Sequence, residues 1–158
     1  MNPSNLSHDF DFLFGAWTIH HHRLDRRLVG ETHWTDFEGT CTARPLLGGL
    51  GNMDENVLDL PTGRYEAITL RLYDAASRRW SIWWIDARAP GIDSPVHGSF
   101  VDGVGTFFGD DVLDGVPIVV RFVWSQITPY SAHWEQAFSI DDGATWETNW
   151  TMRLERSR

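Results

Sequence analysis

Apolar and polar residues alternate along most of the chain after residue 15, and helix-period stripes are scarce. A period of two is what a strand with one buried face and one wet face requires. Gly, Pro and Asp-Gly pairs interrupt the alternation at short intervals, which predicts many short strands joined by tight turns. The first strand is read over Ala16–Leu28, and a turn at Val29-Gly30 leads into a second over Glu31–Arg44. There Phe37, Gly39, Cys41 and Ala43 share one face. A Gly-rich corner, Pro45–Gly51, precedes a third strand over Asn52–Leu60. Seven more follow over Tyr65–Tyr73, Arg79–Asp86, Val96–Val101, Gly105–Val112, Pro117–Ser125, Ala132–Ile140 and Thr145–Glu155. Residues 8–14 are short and aromatic and predict one helical turn ahead of the first strand.

Asp102-Gly103 and Asp114-Gly115 are hairpin signals, since both central residues of such a turn take positive φ. About ten strands linked by hairpins define an all-β fold. An open sandwich and an up-and-down antiparallel barrel both satisfy the pattern. Closure removes the unpaired edges, and the short connections leave no room for long crossovers, so the pattern favours the barrel. The longest irregular connection is Ala87–Pro95. No linker or low-complexity segment divides the chain, so one domain over residues 1–158 is expected.

Composition narrows the function. With 9 Trp, 9 Phe and 3 Tyr in a chain that is 42% hydrophobic, a sizeable core can be buried. All 13 cations are Arg against 22 acids, a net charge of −9. That balance disfavours nucleic acid, which needs a cationic surface, and the absence of Lys excludes a Schiff base. Cys41 is the single cysteine, so no intrachain disulfide forms. No apolar run reaches the roughly 18 residues of a membrane helix, and Met1–His8 does not read as a secretory signal. A cytoplasmic protein is expected. Its partner would be a small-molecule ligand, without nucleic acid or membrane and with a second copy as the one protein partner, a homodimer. No cofactor is called for.

Gly15-Ala16-Trp17 follows the aromatic turn and opens the first strand. It resembles the Gly-x-Trp motif of the lipocalin and calycin superfamily. That resemblance implies a Trp plugging the closed end of the barrel beneath an Arg of the last strand, here Arg153 or Arg156. The whole chain is similar to a bacterial domain-of-unknown-function family with a lipocalin-like barrel. Phe12–Trp17, Arg44–Gly51, Trp80–Asp86 and Trp134–Trp150 carry the likeness. It implies a calycin-like fold and no activity. Nitrobindins, ten-stranded haem-binding relatives, share the opening motif. His133 is the nearest candidate for their haem ligand, without the expected surroundings. Ser139, Asp141, Gly143, Thr145 and Trp146 match the Asp-box pattern, Ser-x-Asp-x-Gly-x-Thr-Trp. That resemblance implies a hairpin brace rather than a glycosidase.

The candidate chemistry lies on strand faces. His20 and His22 share one face, and with His33 they invite a metal reading, but an inward Trp17 and Ile19 put them in solvent and turn His21 inward. Glu66 leads the face Glu66-Ile68-Leu70-Leu72, and Asp86 ends the face Trp80-Ile82-Trp84-Asp86. Counting across the Asp74–Arg78 loop sets Glu66 almost opposite Asp86. Two such carboxylates would repel, raise one pKa and make an acid–base pair. Asn52, Asp54 and Asn56 share one face of the third strand, and Met53, Glu55 and Val57 the other; the alternation leaves both phases open. Gln136 needs amide partners. Trp84, Trp124 and Trp134 are read as the wall of a cavity, with His97 near its mouth. Cys41 is read as a core residue.

The expected function is binding of a small, partly apolar or aromatic ligand. The indoles would hold its body, and His21, Glu66, Asp86 and Gln136, with Asn52, Asp54 and His97, its polar end. The alternative is a cofactor-free isomerase, cyclase, hydratase or lyase in which Glu66, Asp86 and His21 move protons. Haem or metal binding ranks below both, with no metal site assigned, and a pure interaction module comes last.

Overall fold

A computed structural model describes residues 5–158. Ten antiparallel strands form one closed barrel in the order β1-β10-β9-β8-β7-β6-β5-β4-β3-β2. They are β1 (Gly15–Leu24), β2 (Trp34–Leu46), β3 (Gly51–Leu60), β4 (Gly63–Asp74), β5 (Arg79–Asp86), β6 (Val96–Val101), β7 (Val104–Leu113), β8 (Val116–Ser125), β9 (Ser131–Ser139) and β10 (Glu147–Arg156). Every strand pairs with its neighbours in sequence, and β1 closes the ring against β10. The two Asp-Gly turns take positive φ at both residues, at Asp102-Gly103 and Asp114-Gly115. Among the described residues the helical turn reduces to a 3-10 turn, Asp11–Leu13, with another over Leu47–Gly49.

Two expected boundaries move. β1 ends at Leu24 and β2 begins at Trp34, so residues 25–33 are a loop rather than strand ends around a tight turn. Asp25 explains the early end: its carboxylate accepts from His33 and Thr35, and its N–H bonds the His33 carbonyl, which knots the loop at its base.

The closed end of the barrel is a plug. Trp17 is fully buried and donates from Nε1 to the Leu13 carbonyl at 2.8 Å. The Arg156 guanidinium lies 4.2 Å from the Trp17 ring centroid. It donates to the carbonyls of Phe14, Phe12 and Pro129 at 2.7, 2.7 and 2.8 Å. Arg156 is thus the plug arginine, while Arg153 points out to Glu155. Gly15 is required beneath it, because its φ is +107° and a Cβ there would sit 2.8 Å from Arg156 Nη1. Phe10 completes the plug, edge-on to Trp80 and Phe100.

The phase of β4 is the main correction. Tyr65, Ala67, Thr69 and Arg71 are buried inside, and Glu66 and Leu72 are exposed outside. The β4–β5 register sets Asp74 opposite Arg79 and Ala67 opposite Asp86. The expected count was off by one residue, and a one-residue slip sends every side chain to the other face. Glu66 therefore does not face Asp86, and the carboxylate pair does not form. The pattern misleads because the barrel buries a charge, Arg71, and leaves Ile68 and Leu70 half-buried on the outer face.

Candidate functional site

Side chains that cannot fill the barrel leave a cavity of about 390 Å³ between the plug and the opposite, open end. Its floor is polar and comes from β3 and β4. The third strand turns Asn52, Asp54 and Asn56 inward, which resolves its phase, and Glu55 outward. Arg71 donates to Asp54 at 2.6 Å and to Asn52 at 3.0 Å, and Asn56 donates to the other Asp54 oxygen. Arg71 and Asp54 are both almost wholly buried, and each supplies the other with the hydrogen-bond partner and counter-charge that burial takes away with water. The Arg71 guanidinium also covers the Phe10 ring at 4.9 Å, and its Nε–H has no partner among the described residues.

The wall is aromatic. Trp84, Trp134 and Trp150 meet edge to face around the cavity: Trp150 lies 5.8 Å from Trp84 and 5.5 Å from Trp134, both near perpendicular. Trp124 closes the lower wall, beside Phe10 and Arg71. Gln136 lines the cavity and donates to Asn149 at 2.8 Å. Trp150 was missed in the sequence. A register shift between Thr148 and Trp150 brings it inward, and a bulge leaves no pattern signal.

The mouth is charged. Arg23, Arg27 and Arg88 stand with Asp86, Asp93 and Asp111 around it. Arg23 donates to the Tyr65 hydroxyl at 3.0 Å and packs over Phe37 and Trp150, each 5.2 Å away. Arg88 grips Asp86 through Nε and Nη2 and stacks 3.7 Å above the Tyr65 ring. Burial would raise the Asp86 carboxyl, but the bonds from Arg88 outweigh it and hold Asp86 below the ordinary range. Asp93 is displaced the other way, first by shielding of its carboxyl from water, then by Asp111 and Asp86.

The remaining candidates lie elsewhere. His21 is inward and buried but does not line the cavity. It stacks 4.5 Å from the Phe37 ring and accepts at Nδ1 from Trp150 Nε1, which fixes the Nε2–H tautomer. Burial, then Arg23 and His20, push its pKa down to about 3, so it is neutral and poorly placed for proton transfer. Glu66 is outside the barrel. His97 bonds Ser81 at 2.7 Å on the outer face. His20 and His22 point outward, paired with Glu38 and Asp36 at 2.6 and 2.7 Å, and His33 sits in the loop with Asp25. His133 is beside Glu135 and does not line the cavity. Among the described residues no group of three His, Cys, Asp or Glu could hold a metal ion.

The Asp-box hairpin is a brace. Ser139 Oγ accepts from the Gly143 N–H and donates to Asp141, whose carboxylate takes the Thr145 N–H and hydroxyl. These bonds hold the Asp141 pKa at about 2. Trp146 donates to the Gly143 carbonyl and lies under Arg121, away from the cavity.

Among the described residues no helix is long and apolar enough to cross a membrane. No protein-family model and no curated protein matches the chain. A solved structure is similar in fold: an S-type phycobiliprotein lyase from Guillardia theta, with a TM-score of 0.59 at 10% identity, over 94% of this chain and 90% of that one. At that identity the likeness is one of fold alone.

Proposed function

We propose that the barrel binds a small, partly apolar and aromatic molecule in its cavity. The observation that carries this is the cavity itself, about 390 Å³ walled by Trp150 and the two indoles that stand edge-on to it, Trp84 and Trp134, above a polar floor. Ligand sites have this make-up, an apolar lining with a few placed polar groups, and this size, roughly 300–1,000 Å³. Trp84, Trp134 and Trp150 hold the body, and Gln136, Asp54 and the free Arg71 Nε–H offer polar contacts. A bilin, to which the lyase neighbour's name points, is one case; so large a molecule would extend through the mouth. Native mass spectrometry of freshly purified protein tests the proposal. A bound small molecule is expected, and it is lost from Val120→Trp, which fills the cavity. Equal retention by that variant, with its fold unchanged by circular dichroism, would refute cavity binding.

A second reading, proton-transfer catalysis, survives only on different residues. It would rest on Asp93, which lines the mouth with Asp111 and whose carboxyl is raised by shielding from water, then by Asp111 and Asp86.

A further inference from the structure

Arg23 and Arg27 stand out among the cations of the chain. Arg26, Arg64, Arg71, Arg88, Arg121 and Arg153 each have a carboxylate within reach. Among the described residues Arg23 and Arg27 have none, and of the seven arginines without one only these two line the cavity. Both are half-buried and both line the mouth of the cavity. Arg27 makes no hydrogen bond to any described residue. Glu147, the carboxylate acting on it, accepts the Leu28 N–H at 2.8 Å and makes no direct bond to Arg27. Burial, then Arg23 and Arg88, pull the Arg27 pKa down, partly offset by Tyr65 and Glu147. Two half-buried cations at one mouth, neither in contact with a carboxylate among the described residues, cost free energy that an incoming anion would relieve.

Arg23 is already fixed, by its bond to Tyr65 and its place over the Phe37 and Trp150 rings. A ligand bonding to it would lose little side-chain entropy in doing so. Trp150 in turn touches Trp84 and Trp134. An acid group held at Arg23 thus sets an attached ring against all three indoles. Asp86 is spent on Arg88, and Asp93 and Asp111 repel an anion from the rest of the mouth, which favours one orientation.

Resting on the reading of the cavity as a ligand site, we propose that its ligand is an aromatic carboxylic acid, with the carboxylate between Arg23 and Arg27. The test compares 2-naphthoate with its neutral isostere 2-naphthamide by isothermal titration calorimetry on the full chain. Naphthoate is expected to bind at least about tenfold tighter, the worth of a charge-assisted contact. Arg27→Gln should cut that preference severalfold, weakening naphthoate more than naphthamide. In the unaltered protein, raising NaCl from about 50 to about 500 mM should weaken naphthoate and not naphthamide, a readout that needs no variant. Equal binding of the two probes overturns the acid class and leaves the cavity reading standing. A preference that survives Arg27→Gln overturns the assigned site. If neither probe binds while Val120→Trp and unaltered protein behave alike, both readings fall together.

Discussion

His21 makes the stability of the barrel depend on pH in a calculable way. Its imidazole is buried against Phe37 and accepts from Trp150, and burial holds its pKa at about 3 in the folded state, against 6.5 for a free imidazole side chain. Above pH 6.5 it is neutral in both states and contributes no pH dependence. Below 6.5 the unfolded chain takes up a proton that the folded chain refuses, so stability falls by about 1.4 kcal/mol per pH unit. The fall stops near pH 3, where the folded state also protonates. By about pH 5 the loss from this one group is roughly 2 kcal/mol, and over the whole window about 5 kcal/mol. The assay is urea unfolding followed by tryptophan emission at about pH 7.5 and about pH 5, on the unaltered protein and on His21→Gln. The Gln carbonyl still accepts from Trp150 and never charges. The carboxylates titrate alike in both proteins and cancel in the difference. The unaltered protein should lose roughly 2 kcal/mol more than the variant between the two pH values. Parallel losses, within about 0.5 kcal/mol, would show that the imidazole is not held neutral by burial.

Two further outcomes follow from the floor and the mouth. Arg71→Met strands the buried Asp54 carboxylate and should cost about 3–5 kcal/mol in urea unfolding, whereas Arg71→Met with Asp54→Leu should recover most of it; a single variant costing under about 1 kcal/mol would contradict the ion pair. The side-chain carbon resonance of Asp93, followed by NMR, should titrate above 3.8 and move down in Asp111→Asn; no movement would remove the carboxylate coupling on which the catalytic reading rests.

Some parts of this molecule were legible because their residue types have one job. Trp17 with Arg156 and the Ser139–Trp146 turn came out as the motifs imply, since a plug and a brace are local constructions with few substitutes. The inward face Trp80-Ile82-Trp84-Asp86 was also legible, because three bulky apolar residues outvote one acid. β4 was not. Its inner face holds Arg71 and Thr69, its outer face Ile68 and Leu70, and apolar counting selects the wrong side. The corrective signal was present one strand away. Asn52, Asp54 and Asn56 form a polar row in β3, and such a row turned inward demands a cation from the strand beside it. The mouth was hidden for another reason. Arg27 reads as a strand residue until the bonds of Asp25 to His33 and Thr35 end β1 at Leu24, which leaves Arg23 one residue from the strand's end and Arg27 in the loop. Side-chain bonds that stop a strand leave no mark in its periodicity.

The seam between β1 and β10 also sets the order in which the protein can be made. Arg156 bonds the Phe14 carbonyl across 142 positions of sequence. At ribosomal speeds of about 5–20 residues per second, β1 waits on the order of 10 s for the strand that will cover its second edge. Throughout that wait it has β2 alone as a neighbour, and an open strand edge recruits other chains. The outward residues of β1 suit the interval: Thr18, His20 and His22 are polar, and the two imidazoles bond to Glu38 and Asp36 of the strand already in place. The same face that argues against a metal site therefore serves as the guard on a nascent edge until translation delivers its partner.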